Sequence, residues 1–90
     1  MSVLIVTYDL IKETHKENYE NILGVIKKEG NWARLSESCY AIRTDKTPQT
    51  VYEQVKPFLH ERDHLLIFTA TRPYFGWHSK EVIDWLDSSL

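Results

Sequence analysis

The strongest hydrophobic pattern lies at the start of the chain, where Val3, Leu4, Ile5, Val6, Thr7 and Tyr8 form an apolar, β-branched run within Ser2 to Leu10, broken at Asp9. Apolar residues at odd and even positions alike predict a central strand buried on both faces. Farther on, Thr14 and Glu17 have the spacing of a capping box, and Tyr19, Ile22, Leu23 and Ile26 recur at helical spacing. Gly30 supplies the stop, so a helix is expected over Lys16 to Glu29.

Two strand-like runs fill Asn31 to Thr44, with Trp32 and Leu35 before the polar break Ser36-Glu37-Ser38 and Tyr40 and Ile42 after it. They read as a β-hairpin, although no Asn-Gly or Asp-Gly sets the turn type. Thr47 and Pro48 then form an N-cap and a first-turn proline for a helix carrying Val51, Tyr52, Val55, Phe58 and Leu59. Pro57 has no N–H and clashes with the preceding turn, so the helix should end or kink near Val55 or Lys56. Leu65 to Ala70 is a second run apolar on both faces. After Arg72, Pro73, Tyr74, Phe75, Gly76 and Trp77, Ser79 caps a short last helix whose inner face is Val82, Ile83 and Leu86.

This order predicts an α+β chain: a ferredoxin-like βαββαβ sandwich with a four-stranded antiparallel sheet, the first and third strands central, two helices on one face and a short extra C-terminal helix. No repeat or linker divides it, so residues 1–90 are read as a single domain. Two helices leave the second sheet face open, while the first and last strands are apolar on both faces. The aromatic tail, Tyr74, Phe75, Trp77 and Trp85, is expected to cover part of that face. A second subunit packing through the open sheet face would cover the rest, which makes the expected state a homodimer.

Composition narrows the function classes. With 42% apolar and 27% charged residues among 90, the chain is ordinary globular protein. Its apolar runs fall short of the roughly 20 residues needed to cross a bilayer, and no basic-then-apolar start marks secretion, so no membrane association is expected. The single cysteine, Cys39, cannot form an intrachain disulfide, which fits a cytoplasmic location and a small strand residue better than a reactive thiol. The formal net charge of −2 gives no overall basic excess. A nucleic-acid surface would therefore need a local patch from cations such as Lys12, Lys16, Arg34, Arg43, Arg72 and Lys80.

Three motifs bear on chemistry. His60-Glu61-Arg62-Asp63-His64 matches the H-E-x-x-H pattern of zinc peptidases, but that motif needs a continuous helix, and here Pro57 precedes it and a strand begins at about His64. A turn with solvated charges is the better reading. His15 and His78 are most simply surface residues. No Gly-x-Ser-x-Gly elbow is present, and with only three glycines there is no phosphate-cradling loop. The tail aromatics could stack bases, but their place outside the central strands favours core or interface packing. Asp9 ends the most rigid strand. It is either a turn residue bonded to nearby backbone N–H groups or a hard oxygen ligand for Mg²⁺. A two-fold axis would bring two such carboxylates together, and the metal would activate water for phosphodiester cleavage.

The segment Val6-Thr7-Tyr8-Asp9-Leu10 resembles the Tyr-Asp ending of the first strand in the small CRISPR-associated protein two superfamily, whose distant relatives include virulence-associated protein D. Leu35-Ser36-Glu37-Ser38-Cys39-Tyr40-Ala41-Ile42 is similar to that family's hairpin, and Asp63 leads into Leu65 to Thr69 in the same way. The likeness covers about residues 2 to 70 and suggests a distant, stand-alone relative. It implies a ferredoxin-like homodimer acting on RNA or DNA as a Mg²⁺-dependent endonuclease or as a nucleic-acid-binding protein. Asp9 would be the metal-binding catalytic residue, and Arg34 would fall near the family's basic hairpin residues; Arg43 and Lys12, from the possible cationic patch, are the other candidates for contact with nucleic acid. The alternative is a non-catalytic dimeric module, binding a partner or a small ligand, with Asp9 structural.

Overall fold

The structure, a computed structural model, describes residues 1–11, 16–28 and 30–90. The element order is β1 (Ser2–Asp9), α1 (Lys16–Lys27), β2 (Trp32–Ser36), β3 (Cys39–Thr44), α2 (Pro48–Val55), a short 3₁₀ turn (Lys56–Phe58), β4 (His64–Ala70) and α3 (Lys80–Ser89). The strands form one four-stranded sheet in the order β2-β3-β1-β4, with every neighbouring pair antiparallel. This is the ferredoxin-like arrangement with a C-terminal helix, and β1 and β3 are its central strands. Among the described residues no helix is long and apolar enough to cross a membrane.

Alternation divides the strands between two layers. Leu4, Val6 and Tyr8 of β1 and Tyr40 and Ile42 of β3 pack with Ile22 and Ile26 of α1 and Val51 and Val55 of α2, forming the main core. Helix α1 ends two residues before the expected Glu29, and Gly30, at φ 77°, donates its N–H to the Lys27 carbonyl at 3.0 Å. That left-handed conformation is why a glycine stands there. The expected cap at Thr14 and the helix end at Glu29 lie outside the described residues.

Thr47 caps α2 as expected, its hydroxyl accepting from the Thr50 N–H at 3.2 Å. Thr47→Ala leaves that donor to solvent and is expected to cost about 1 kcal/mol, readable as a lower urea midpoint with an unchanged m-value. Pro57 acts where predicted: α2 ends at Val55 and the chain tightens into the 3₁₀ turn.

The second sheet face differs from expectation. Helix α3 starts beside β2, where Trp32, Ala33, Val82 and Trp85 share a cavity, and its end, Ser89 and Leu90, lines another with Val3 and Ala70. It therefore lies on the face opposite α1 and α2, where Val3, Ala33 and Ala41 are buried. Phe75 and Trp77 do not cover that face; both are fully exposed, at 104% and 99%. Trp85 is half-buried and donates from Nε1 to Asn31 at 2.8 Å. Nor is β4 buried on both faces. On this edge strand α3 reaches only the end at Thr69 and Ala70, which leaves Leu66 at 68% and Phe68 at 50% exposure.

Candidate functional site

Asp9 stands exposed at the end of β1, with the β2–β3 turn on one side and β4 on the other. Tyr8 fixes the first of these neighbours. Its backbone N–H donates to the Ser38 carbonyl at 3.0 Å, and its phenol donates to the Glu37 carbonyl at 3.1 Å. Burial, followed by the adjacent Tyr19, raises the Tyr8 pKa above the ordinary phenol value, so the hydroxyl stays a donor. The two rings meet edge to face with centroids 6.4 Å apart.

A cavity of about 300 Å³ opens beside this junction, lined by Tyr8, Asp9, Tyr19, Arg34, Glu37 and Ser38 among others. Arg34 is exposed on β2, and its Nε donates to the Ser36 carbonyl at 3.3 Å, within the irregular register between Arg34 and Ser36. The cleft thus gathers two carboxylates, one guanidinium and two phenols. Carboxylate oxygens are ligands for a hard cation, and a guanidinium is a two-pronged donor to a phosphate.

On its other side Asp9 lines a smaller cavity, about 140 Å³, with Thr7, His64 and Leu66. Cys39 pairs with Thr7 in the register, and burial pushes its thiol pKa up, which disfavours the thiolate form. Among the described residues no group of three or more His, Cys, Asp or Glu side chains could hold a metal ion.

The four residues singled out from the sequence do not all meet. Asp9 and Arg34 share one cleft. Arg43 does not join them: it pairs with Val3 near the opposite end of β1, and its Nε is buried with no hydrogen-bond partner among the described residues. Lys12 lies outside the described residues. The His60–His64 segment is a turn followed by the first residue of β4, so the helix a zinc peptidase needs is absent there.

Two residues matter more than their sequence context suggested. Asp63 closes this turn, its Oδ2 accepting from the His60 N–H and its Oδ1 from the Ile11 N–H, both at 2.8 Å. His78 joins the tail to β2, with Nε2 donating to the Leu35 carbonyl at 2.7 Å while Nδ1 accepts from the Ser79 N–H. A backbone amide on Nδ1 fixes that tautomer. The chain matches no known family model and no curated protein.

Proposed function

We propose that the chain works in the cytoplasm as a homodimer that binds RNA or DNA and cleaves phosphodiester bonds with Mg²⁺ held at Asp9. One observation carries this reading: a carboxylate at the end of a rigid central strand shares a cleft with the exposed guanidinium of Arg34. The donor set suits the ion. Mg²⁺ keeps several waters and takes only one or two carboxylates, and Asp9 and Glu37 both line the cleft. When bound, the ion supplies Lewis acidity and a more acidic water.

The remaining work falls to the protein's own residues. Arg34 binds and orients a substrate phosphate, and its tether to Ser36 limits how far the guanidinium strays. Tyr8 holds the turn carrying Glu37 and Ser38 against the strand that carries Asp9. The dimer draws support from β4, where Leu66 and Phe68 leave apolar surface on the sheet. A two-fold axis there would double the carboxylates available to one substrate.

The test is cleavage of labelled single-stranded RNA and duplex DNA with and without Mg²⁺, at matched dimer content. Asp9→Ala is expected to lower cleavage at least about 100-fold, because the metal's several kcal/mol of transition-state stabilisation goes with its ligand. Equal cleavage by wild type and variant, or none by either, defeats the nuclease reading. A non-catalytic interaction module is the second reading, favoured by the exposed rings of Phe75 and Trp77. On that reading Asp9→Ala leaves partner binding unchanged.

A further inference from the structure

The antiparallel pairing of β1 with β4 ends by setting His64 directly against Asp9. Opposed residues on antiparallel strands share a sheet face with Cβ atoms about 4.5–5.5 Å apart. That spacing lets two short side chains converge on one ion, since nitrogen and oxygen ligands sit about 2.0–2.2 Å from a metal such as zinc. Both residues are exposed, and both line the cavity of about 140 Å³.

Of the other described histidines, His78 is engaged at both ring nitrogens and His60 at one. His60 Nδ1 accepts from the Arg62 N–H at 3.1 Å. His64 alone among them has a ring without a hydrogen bond, and the Asp9 carboxylate likewise has no hydrogen bond or ion pair among the described residues.

We propose that Asp9 and His64 form a cross-strand chelate for a first-row transition cation, which makes Zn²⁺ and Mn²⁺ better occupants than Mg²⁺. The proposal rests on Asp9 being the metal residue of the function above; it places the ion on the β4 side of that carboxylate, with His64 rather than Glu37 as the second ligand, and puts a transition ion in place of Mg²⁺. Carboxylate and water suit Mg²⁺ well, whereas an imidazole adds little for that ion and much for a softer one. The two ligands stand on paired strands, and β1 is held on both sides by β3 and β4, so the backbone already sets them opposite each other and only their exposed side chains are left for the ion to order.

Calorimetric titration of untagged protein with Zn²⁺ or Mg²⁺ alone tests the chelate. Nitrogen modulation in the electron-spin-echo signal of bound Mn²⁺ reports imidazole ligation directly. Wild type should bind Zn²⁺ at least about tenfold tighter than Mg²⁺, a difference of about 1.4 kcal/mol. His64→Ala should lose that preference and the nitrogen signal while keeping its Mg²⁺ affinity, and Asp9→Asn should weaken both ions. His64→Gln replaces the alanine variant if the latter does not fold. Equal Zn²⁺ and Mg²⁺ affinities in wild type overturn the chelate, as does a His64 variant that binds Zn²⁺ normally or keeps the nitrogen signal. If the metal results hold but no nucleic acid is cleaved, the nuclease reading fails and the chelate stands. If Asp9→Ala abolishes cleavage while His64 variants bind Zn²⁺ as wild type does, the chelate alone fails.

Discussion

Leu4→Ala is expected to destabilise the fold by about 2–5 kcal/mol, the range for emptying a well-packed aliphatic site. Leu4 is 1% exposed and stands in the middle of the main core, packed with Ile22, Ile26, Val51 and Val55 from both covering helices. Its strand is paired on both edges, opposite Ile42 on β3 and Thr69 on β4. Backbone so constrained cannot close over a missing side chain, which places the cost toward the upper part of that range. In a domain of this size each kcal/mol moves the melting temperature by about 4–8 °C, so the far-UV melt should fall by about 10 °C or more. Total stability of small domains is itself only about 5–15 kcal/mol, so a partly unfolded variant at 37 °C is within the expected outcome. A shift below about 4 °C would mean that the sheet–helix core is not where the free energy of folding resides.

The core was legible because its signals are local. A β-branched run, apolar residues at helical spacing and the Thr47-Pro48 start each act within a few residues, and β1, α1, α2 and the hairpin came out close to their predicted spans. What failed depended on neighbours the chain meets only after folding. The edge position of β4 follows from the expected topology, with the first and third strands central, but the tail aromatics Phe75 and Trp77 do not cover its outer face, and Leu66 and Phe68 stay largely exposed. Apolarity states a preference for burial but does not name the partner that supplies it. The tail shows the same limit. Phe75 and Trp77 read as cover for the open face, but α3 lies there instead, because its own apolar side, with Val82 buried, spans a longer stretch of sheet than a short loop can.

The site divides along the same line. Asp9 could be singled out because it directly follows the most apolar run in the chain, and its exposed position at the strand end agrees with that reading. In the sequence His64 reads only as half of a metallopeptidase pattern. Its place opposite Asp9 is a matter of strand register, and register is set by the whole sheet rather than by nearby residues. Arg34 is marked both by the possible cationic patch and by the hairpin's resemblance to a known family, and the structure sets it in the Asp9 cleft; Arg43, only nine positions along, falls at the far end because the hairpin turns back between them. Glu37 looked like a turn residue and is one, but Tyr8 draws that turn against the end of β1 and so gives Asp9 a second carboxylate neighbour.

Asp63 links fold and site, and Asp63→Ala is the other substitution expected to have a large effect. Its two carboxylate oxygens serve different segments: Oδ2 closes the turn at His60, and Oδ1 reaches 52 positions back along the chain to the Ile11 N–H. The Asp63 N–H also donates to the His60 carbonyl at 2.9 Å, so the turn is closed from both directions. Hydrogen bonds to a charged group contribute about 1.5–3 kcal/mol each. Both sites are only part-buried and water can replace some of what is lost, so the substitution should cost about 2–4 kcal/mol in total. Asp63→Asn should recover less than half of this, because its NH₂ group must face one of the two N–H donors. Hydrogen exchange gives the sharper reading. The amides of Ile11 and His60 should lose protection by a larger factor than those of the central strands, whose opening follows global stability. Ile11 lies just beyond Asp9 and Leu10, and Asp63 immediately precedes His64, so this carboxylate ties together the two chain segments that carry the proposed ligands. The same variant should therefore bind Zn²⁺ more weakly than its loss of global stability predicts. Unchanged exchange at Ile11, together with a melting temperature within about 2 °C of wild type, would show that the two strand ends are held by the sheet alone.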